Sequence, residues 1–257
     1  MTGQERDLIA AYERELFDGS CRRIQTAYDQ LGHSLDWRFI NSPRRNLKAS
    51  VPIVLVTLNP GGDRKYEGHV PESSEIGSAY IHESWRSGYP AGQAPLQLQV
   101  RKLFEMLASA LGRPGEGDCL LEENLAAYFV PFRSPSIKKL HRRPESIEFA
   151  RSLWTTIFDK VDPKLVITID HVTTNNLLPI VASKADRRAA MDRRLVGWGR
   201  VTASIHSFEG DRGPYAVLRL PHLSRFKVFG REASDPKLRS IVDAAVTQAF
   251  AVRSPLR

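Results

Sequence analysis

The sequence predicts an α/β fold with three layers, in which helices cover both faces of a central, mostly parallel sheet of four to five strands. Short runs that are apolar on both faces, as buried parallel strands require, recur along the chain. Amphipathic helical patterns separate these runs, and strands that alternate with helices favour a parallel sheet covered on both sides. The chain has 257 residues, of which 42% are hydrophobic, so it is long enough to bury a core of this kind.

The first predicted elements are a long helix, a buried strand and a second helix. Residues 4–32 carry apolar side chains every three or four positions, which predicts a helix. The β-branched run Val51–Thr57 predicts a buried strand, and a turn sequence follows it from Asn59 onward. The polar, aromatic segment 63–92 reads as a long loop, and loops of this length are often functional. An apolar stripe over 96–111 predicts the next helix.

The middle of the chain predicts two more strands, each followed by a helix. Residues 125–132 form the second apolar run. Pro144 opens a helix whose apolar stripe continues to Val161. The run Lys164–Ile169 predicts a third buried strand, and a helix over 172–183 follows it.

Two further strands and a tail helix complete the predicted domain. The strands are Val201–His206 and Tyr215–Leu220, and the helix covers about 236–252. We expect residues 1–45 to form an N-terminal helical extension and residues 46–257 to form the α/β domain, with one compact domain overall.

Composition narrows the class of protein. No run of 18 apolar residues occurs, and the first residues lack the basic-then-apolar order of a signal peptide. Cys21 and Cys119 are too few cysteines for a disulfide scaffold or a four-cysteine metal site. We therefore expect a cytoplasmic protein that makes no membrane contact. We also expect a monomer.

Positive charge indicates an anionic partner. Lys and Arg number 37 against 29 Asp and Glu, a net charge of +8, which favours nucleic acid. The basic residues concentrate within 133–143, 184–200 and 225–231. Each stretch is either a solvated face or part of a track for DNA phosphates. The first stretch supplies the predicted phosphate contacts Arg133, Lys138, Lys139, Arg142 and Arg143.

Three segments that follow predicted strands contain the residues of greatest chemical interest. In parallel sheets, ligands bind beyond the carboxyl ends of the strands. The first segment is Asn59-Pro60-Gly61-Gly62. The second runs from Tyr128 through Pro131-Phe-Arg-Ser-Pro135 to Arg143-Pro144. The third is Pro221-His222-Leu223-Ser224, which Arg225 and Phe226 follow.

This ordered set resembles the uracil-DNA glycosylase superfamily over about residues 50–250. Asn59-Pro60-Gly61 is similar to the first catalytic motif, in the form used by mismatch-specific uracil and thymine glycosylases. Pro221-His222-Leu223-Ser224 resembles a variant of the second motif, which is usually His-Pro-Ser. The resemblance implies a monofunctional DNA glycosylase that acts on duplex or single-stranded DNA. It would flip out a base, hydrolyse the N-glycosidic bond with water and leave an abasic site, and no metal or organic cofactor is implied.

The resemblance and the residue chemistry together assign roles to these side chains. The Asn59 amide would orient the attacking water, and His222 would donate to the departing base. The backbone of Gly61 and Gly62 can approach the base or a phosphate closely. Ser224 would hold a DNA phosphate. Arg225 and Phe226 would form a wedge that keeps the flipped base out of the helix, with Leu223 as the rival wedge.

The base pocket departs from the usual pattern. An aromatic platform is expected from Tyr66, Tyr80, Trp85 or Tyr89, and the resemblance favours Tyr89. Uracil-cleaving members usually carry Asn in the middle strand, where this chain has Tyr128. A phenol cannot make the paired donor and acceptor contacts of an amide. We therefore expect a different base, such as a bulky modified pyrimidine. The resemblance adds one option, because some defence enzymes of the superfamily attack modified phage DNA, so the base could be a modified cytosine.

Two alternatives remain open at the level of the sequence. The first is a catalytically inactive DNA- or RNA-binding protein with the same fold. The second is an unrelated α/β hydrolase or transferase that acts on nucleotides, for which we expect weak salt dependence and no affinity for polynucleotides.

Overall fold

A six-stranded sheet forms the centre of the computed structural model, which describes residues 3–65, 70–85, 88–185 and 187–251, with side chains from residue 11 onward except 187–189. In chain order, the strands are β1 Ile53–Thr57, β2 Leu125–Tyr128, β3 Leu165–Ile169, β4 Arg187–Leu195, β5 Thr202–Gly210 and β6 Gly213–Leu220. Across the sheet their order is β2-β1-β3-β6-β5-β4. The first four strands in this order are parallel to one another. β5 pairs antiparallel with β6, and β4 pairs antiparallel with β5, so β4 runs in the same direction as β6.

The helices pack on both faces of this sheet. In chain order they are α1 Gly3–Leu31, α2 Ala79–His82, α3 Pro95–Ala110, α4 Gly117–Glu123, α5 Arg143–Lys160, α6 His171–Ala182 and α7 Asp235–Phe250. Ile53 and Leu55 point into a core formed with α3 and α7, while Val54 and Val56 point into a core formed with α1, α5 and α6. The predicted α/β fold with helices on both faces of a mostly parallel sheet is confirmed.

The predicted number of four to five strands is wrong, because β4 was not predicted. Its sequence, Arg-Arg-Ala-Ala-Met-Asp-Arg-Arg-Leu, is charged and reads as part of a basic surface stretch. β4 is an edge strand, and charged side chains on an edge strand discourage pairing with other chains. A pattern of apolar residues predicts strands that are buried on both faces, but it does not predict a charged edge strand such as β4.

Some other predicted elements also need correction. The predicted strand 125–132 is too long, because β2 ends at Tyr128. Pro131 has no N–H to donate to a ladder, and the buried chain from Phe129 onward is irregular. The short helices α2 and α4 were not predicted, and α2 lies within the segment read as one long loop. The remaining predicted boundaries differ by a few residues from those observed.

The segment after α1 lies against the outer side of β2. Ile40 forms an antiparallel bridge with Ala127, and the Asn41 N–H donates to the Ala126 carbonyl at 2.7 Å. α1 itself packs on α5, where the Arg23 guanidinium donates to the Thr156 hydroxyl at 2.8 Å. The N-terminal residues therefore contribute to the core that includes α5 and α6.

Several chain segments meet at one side of the sheet, which we call the carboxyl edge. The parallel strands β1, β2, β3 and β6 all end there. The turn 196–201 between β4 and β5 lies at the same edge, because β5 is antiparallel to β6 and begins beside the end of β6. Among the described helices, none combines the length and apolar character needed to cross a membrane.

Candidate active site

The two segments that resemble catalytic motifs both lie at the carboxyl edge. Asn59 follows β1 and His222 follows β6, and β3 lies between these two strands. Neighbouring strands are about 4.8 Å apart, so the two segments are separated by roughly 10 Å at the sheet. That space lies above the end of β3, where Asp170 is the next residue.

The Asn59 amide is held in one orientation by two backbone carbonyls. Its Nδ2 donates to Pro60 O at 2.8 Å and to Ser134 O at 3.1 Å. The Ser134 N–H donates to Pro60 O at 3.0 Å and ties the two segments together. Both amide hydrogens are therefore engaged, and Oδ1 is left as an acceptor with no hydrogen-bond partner recorded among the described residues. An acceptor held in this way can orient a water molecule.

Arg133 supports the Gly61 loop, which corrects its predicted role as a DNA contact. Its side chain is only 9% exposed and forms an ion pair with Asp36. Its Nη1 also donates to Gly61 O at 2.5 Å. The neighbouring Gly62 has a φ of +113°, a region that L side chains rarely adopt. Arg133 and Gly62 thus fix the course of the chain after Asn59.

His222 lies exposed at the carboxyl edge and is hydrogen-bonded to Ser224. The His222 Nδ1 is 2.9 Å from Ser224 Oγ. The turn that presents the imidazole is closed by the N–H groups of Arg225 and Phe226, which donate to His222 O at 3.0 and 2.8 Å. Ser224, predicted to hold a phosphate, is thus engaged with the imidazole.

Asp170 is a residue of the site that the sequence analysis missed. It has a φ of +99°, although it is not glycine, and such strain is found most often at functional sites. Its carboxylate accepts from Thr173 N–H and Thr173 Oγ1, each at 2.9 Å, and so caps α6. Burial raises the pKa of Asp170, while these hydrogen bonds and nearby His222 oppose the rise. The signal was an acidic residue directly after a buried strand, three residues before a threonine.

The two rival wedge residues differ sharply in exposure. Leu223 is fully buried in the core with α3 and α7, so it cannot enter a DNA groove as placed. Phe226 is half-buried and packs edge-on against Trp198, with the ring centroids 6.1 Å apart. The exposed Arg225 lies over the Phe226 ring at 5.3 Å. The structure therefore keeps Arg225 and Phe226 at the surface of the carboxyl edge.

The predicted basic stretches do not all share one surface. Lys138, Lys139 and Arg143 are exposed on the segment that follows β2. Arg142 is exposed too, but it is paired with Glu145 at 2.9 Å. The 184–200 stretch is divided, since its first residues lie at the opposite edge of the sheet and Arg193, Arg194 and Arg200 lie at the carboxyl edge.

A polar cluster lies beside the end of β2, on the face covered by α3. It comprises Asn41, Thr57, Ser78, Tyr80 and Tyr128. Tyr128 is half-buried, and burial raises its pKa, so the phenol is neutral at ordinary pH. Tyr80 is fully buried, and burial raises its pKa. The neighbouring Asn41 and Thr57 side chains partly oppose this rise.

The inner members of this cluster are incompletely satisfied. Five buried atoms lack a well-formed hydrogen bond to any described residue: both amide atoms of Asn41, the hydroxyls of Thr57 and Ser78, and the Tyr80 phenol. Buried polar groups are nearly always paired, and exceptions often mark functional sites or bound water. The cluster could serve a polar ligand that enters beside Tyr128.

Of the four aromatic residues considered for the platform, Tyr80 rather than the favoured Tyr89 lies near Tyr128. Tyr128 is close enough to contribute to the raised pKa of Tyr80, and Tyr80 packs edge-on against Trp85 at 5.0 Å. Tyr89 is 43% exposed and has no ring contact recorded among the described residues. Tyr66, the fourth platform residue considered, lies outside the described residues. Nothing in the described structure brings Tyr89 to Tyr128.

The described part of the chain holds no cluster of three or more His, Cys, Asp or Glu side chains suited to a metal ion.

A comparison of the chain with models of protein families finds no match. A comparison with curated proteins also finds none. The chemistry of the carboxyl edge is therefore inferred from its own residues.

Proposed function

We propose that the protein is a monofunctional DNA glycosylase that acts on a modified pyrimidine. The observation that carries this proposal is the pair of oriented polar groups at the carboxyl edge. The Asn59 amide is held on two carbonyls with Oδ1 as an acceptor, and the His222 imidazole lies two strands away with Ser224 on its Nδ1. An acceptor for water and a donor for the leaving base are the two groups that this hydrolysis needs.

The Ser224 contact determines what His222 can do. When Ser224 O–H donates to Nδ1, the neutral imidazole carries its proton on Nε2. An Nε2–H group can donate to the oxygen of a departing pyrimidine, where negative charge develops. Ser224 is thus a positioning residue in this proposal, because it acts through the imidazole.

The hydrolysis is balanced by one water molecule. Asn59 Oδ1 accepts a hydrogen bond from the water and holds its oxygen toward the sugar. The bond between C1′ and the base nitrogen breaks, and its electron pair leaves with the base, which His222 stabilises. The water oxygen bonds to C1′, one water proton is released, and the base gains a proton. The products are a free base and an abasic site.

The polar cluster around Tyr128 supports the proposed substrate class. Tyr128 places a neutral phenol where an amide would read uracil, and the unsatisfied amide of Asn41 lies behind it. Such a pocket offers a broad ring face and several separate polar groups in place of one paired amide contact. A pyrimidine with extra polar substituents, such as the modified cytosines of phage DNA, fits this chemistry best.

The test is base release from defined oligonucleotides. The protein is incubated with strands that carry uracil, a thymine mismatch, hydroxymethylcytosine or glucosylated hydroxymethylcytosine, and hot alkali then cleaves any abasic site. We expect release of a modified cytosine and poor release of uracil. Salt-dependent binding of every strand without cleavage would instead favour an inactive nucleic-acid-binding protein, because the basic residues of the carboxyl edge serve either function.

A further inference from the structure

Arg219 is an almost completely buried arginine that has no carboxylate partner among the described residues. It is 4% exposed and lies on β6, three residues before His222. Among the described residues, none of the recorded ion pairs includes it. Its hydrogen-bond partners among the described residues are uncharged groups: Nε donates to Ser204 Oγ at 3.0 Å, Nη2 to Thr202 Oγ1 at 3.2 Å and Nη1 to His171 Nε2 at 3.5 Å. A buried cation is costly unless an anion compensates its charge.

Two further basic side chains lie beside this guanidinium. Arg219, Ser204 and Arg193 are register partners on β6, β5 and β4, so their side chains share one face of the sheet. Arg193 is close enough to lower the pKa of Arg219, in addition to the effect of burial. His171, the first residue of α6, has its Nε2 3.5 Å from Arg219 Nη1.

The nearby carboxylates are engaged elsewhere. Burial and the neighbouring Arg219 lower the pKa of His171, and Asp170 only partly opposes this effect. The Asp170 oxygens accept hydrogen bonds from Thr173. Asp192 is paired with Arg194 at 2.7 Å. The cluster therefore keeps a net positive charge. Because Arg193 and His171 are exposed, it is open to solvent on one side.

This cluster is distinct from the polar cluster around Tyr128. Arg219 pairs in register with Thr168, and the Thr168 hydroxyl contacts Thr174 of α6, so Arg219 lies on the α6 face. Tyr128 and Tyr80 lie on the α3 face. The base pocket proposed above and the Arg219 cluster are thus on opposite faces of the sheet, near the same edge.

The geometry points to an oxyanion site for a phosphate group, formed by Arg219, Arg193 and His171. Two guanidinium groups supply several N–H donors in fixed directions, which suits the oxygens of a phosphate. The anion would supply the compensating charge that Arg219 lacks. The phosphate comes either from a polynucleotide backbone or from a small phosphorylated molecule, and the experiment below separates these sources. The inference concerns binding alone and does not depend on base release.

The first experiment measures inorganic phosphate binding by calorimetry and thermal unfolding, in buffer free of phosphate and sulfate, at constant ionic strength with chloride as the reference. Wild-type protein should bind phosphate saturably and gain thermal stability. Arg219→Gln and the exposed Arg193→Gln should each weaken phosphate binding by roughly tenfold or more, as expected for a lost charged hydrogen bond. Arg239→Gln removes an exposed arginine from α7 on the other face and should leave binding unchanged.

Arg193→Gln also keeps the test valid if Arg219→Gln fails to fold. Without phosphate, Arg193→Gln should raise the unfolding temperature, because it relieves repulsion between two cations. A merely structural arginine would lower the unfolding temperature when replaced. A lower temperature, or phosphate binding equal to that of the wild type, would overturn the proposal.

The source of the phosphate is determined by competition. An eight-nucleotide oligothymidylate without a terminal phosphate should displace inorganic phosphate if the site binds a DNA backbone. If inorganic phosphate binds and the oligonucleotide does not displace it, the site takes a small phosphorylated molecule. If neither ligand binds the wild-type protein, the inference is wrong.

Discussion

Asn59 and His222 have different structural constraints, although both lie on loops after strands. Asn59 is fixed by two hydrogen bonds to carbonyls, so its side chain supports the loop as well as any chemistry. His222 is exposed, and its hydrogen bonds among the described residues are with its own turn, through Ser224 and the N–H groups that follow. Replacing His222 should therefore disturb the fold less than replacing Asn59.

Our first prediction concerns catalysis by these two residues. His222→Ala should reduce base release by about 10²–10³, the usual cost of losing one preorganised donor to a developing anion. Asn59→Ala should reduce it comparably and also lower the unfolding temperature. Single-turnover excision rates and thermal unfolding check both effects, and Lys184→Gln at the opposite edge serves as the control. A double variant with wild-type excision would show that the site lies elsewhere.

The second prediction concerns Tyr128 and base preference. A single phenol cannot match the edge of uracil at two points, whereas an amide can. Tyr128→Asn should shift the ratio of excision rates toward uracil by on the order of tenfold, the value of about one hydrogen bond. The measurement compares uracil and modified-cytosine strands for both proteins. Efficient, selective release of uracil by the wild-type protein would refute this interpretation of the pocket.

At the scale of elements, the segment between β2 and α5 combines two different functions. Its first basic residue, Arg133, faces inward and holds the Gly61 loop. The residues of the following turn, Lys138 and Lys139, face solvent beside the start of α5. Within one basic stretch of the sequence, Arg133 therefore supports a loop, whereas Lys138 and Lys139 form exposed surface.

This division gives our third prediction. The Lys138→Gln, Lys139→Gln pair should weaken binding to every DNA sequence alike and flatten the salt slope by roughly one unit for each lost phosphate contact. Arg133→Gln should leave the salt slope unchanged and lower thermal stability, because it removes the ion pair with Asp36 and the hydrogen bond to Gly61 O. Fluorescence anisotropy titrations over a range of salt concentrations distinguish the two classes. An unchanged affinity and slope for the lysine pair would make these residues part of a solvated face.

At the scale of the whole molecule, His33 joins the N-terminal segment to α5. The buried imidazole stacks on Phe132, with centroids 4.1 Å apart, and its Nε2 lies 3.1 Å from Ser146 Oγ. Burial, and secondarily the neighbouring His141, lower the pKa of His33 to about 4. The folded protein therefore keeps His33 neutral at a pH where the unfolded chain protonates it.

The fourth prediction is a loss of stability in acid. Between pH 6.5 and about 4, the unfolded state binds one more proton at His33 than the folded state, so the free energy of unfolding decreases as pH falls. The loss from this group should be on the order of 2–3 kcal/mol at pH 4. Urea unfolding of wild type and His33→Asn at pH 7 and 4.5 isolates it, because the variant cannot titrate there. Equal acid losses in both proteins would contradict the assignment.

The central part of the fold could be predicted from the amino-acid sequence. Runs such as Val51–Thr57 and Lys164–Ile169 are apolar at every position, and only burial on both faces of a parallel sheet satisfies that pattern. The carboxyl ends of parallel strands meet at one edge, so the segments after them, including Asn59 and His222, were expected together. These inferences depend on local patterns and on a general rule of topology.

The tertiary structure alone decided which side chains meet. Charge in the sequence cannot distinguish Arg133, which is buried against Asp36, from Lys138, which faces solvent. The edge strand β4 has no apolar pattern, so the sequence did not predict which residues lie beside Arg219. The strand pairing of the structure places Ser204 and Arg193 in register with it. Periodicity records which residues are buried, whereas the pairing of polar groups depends on contacts between segments far apart in the chain.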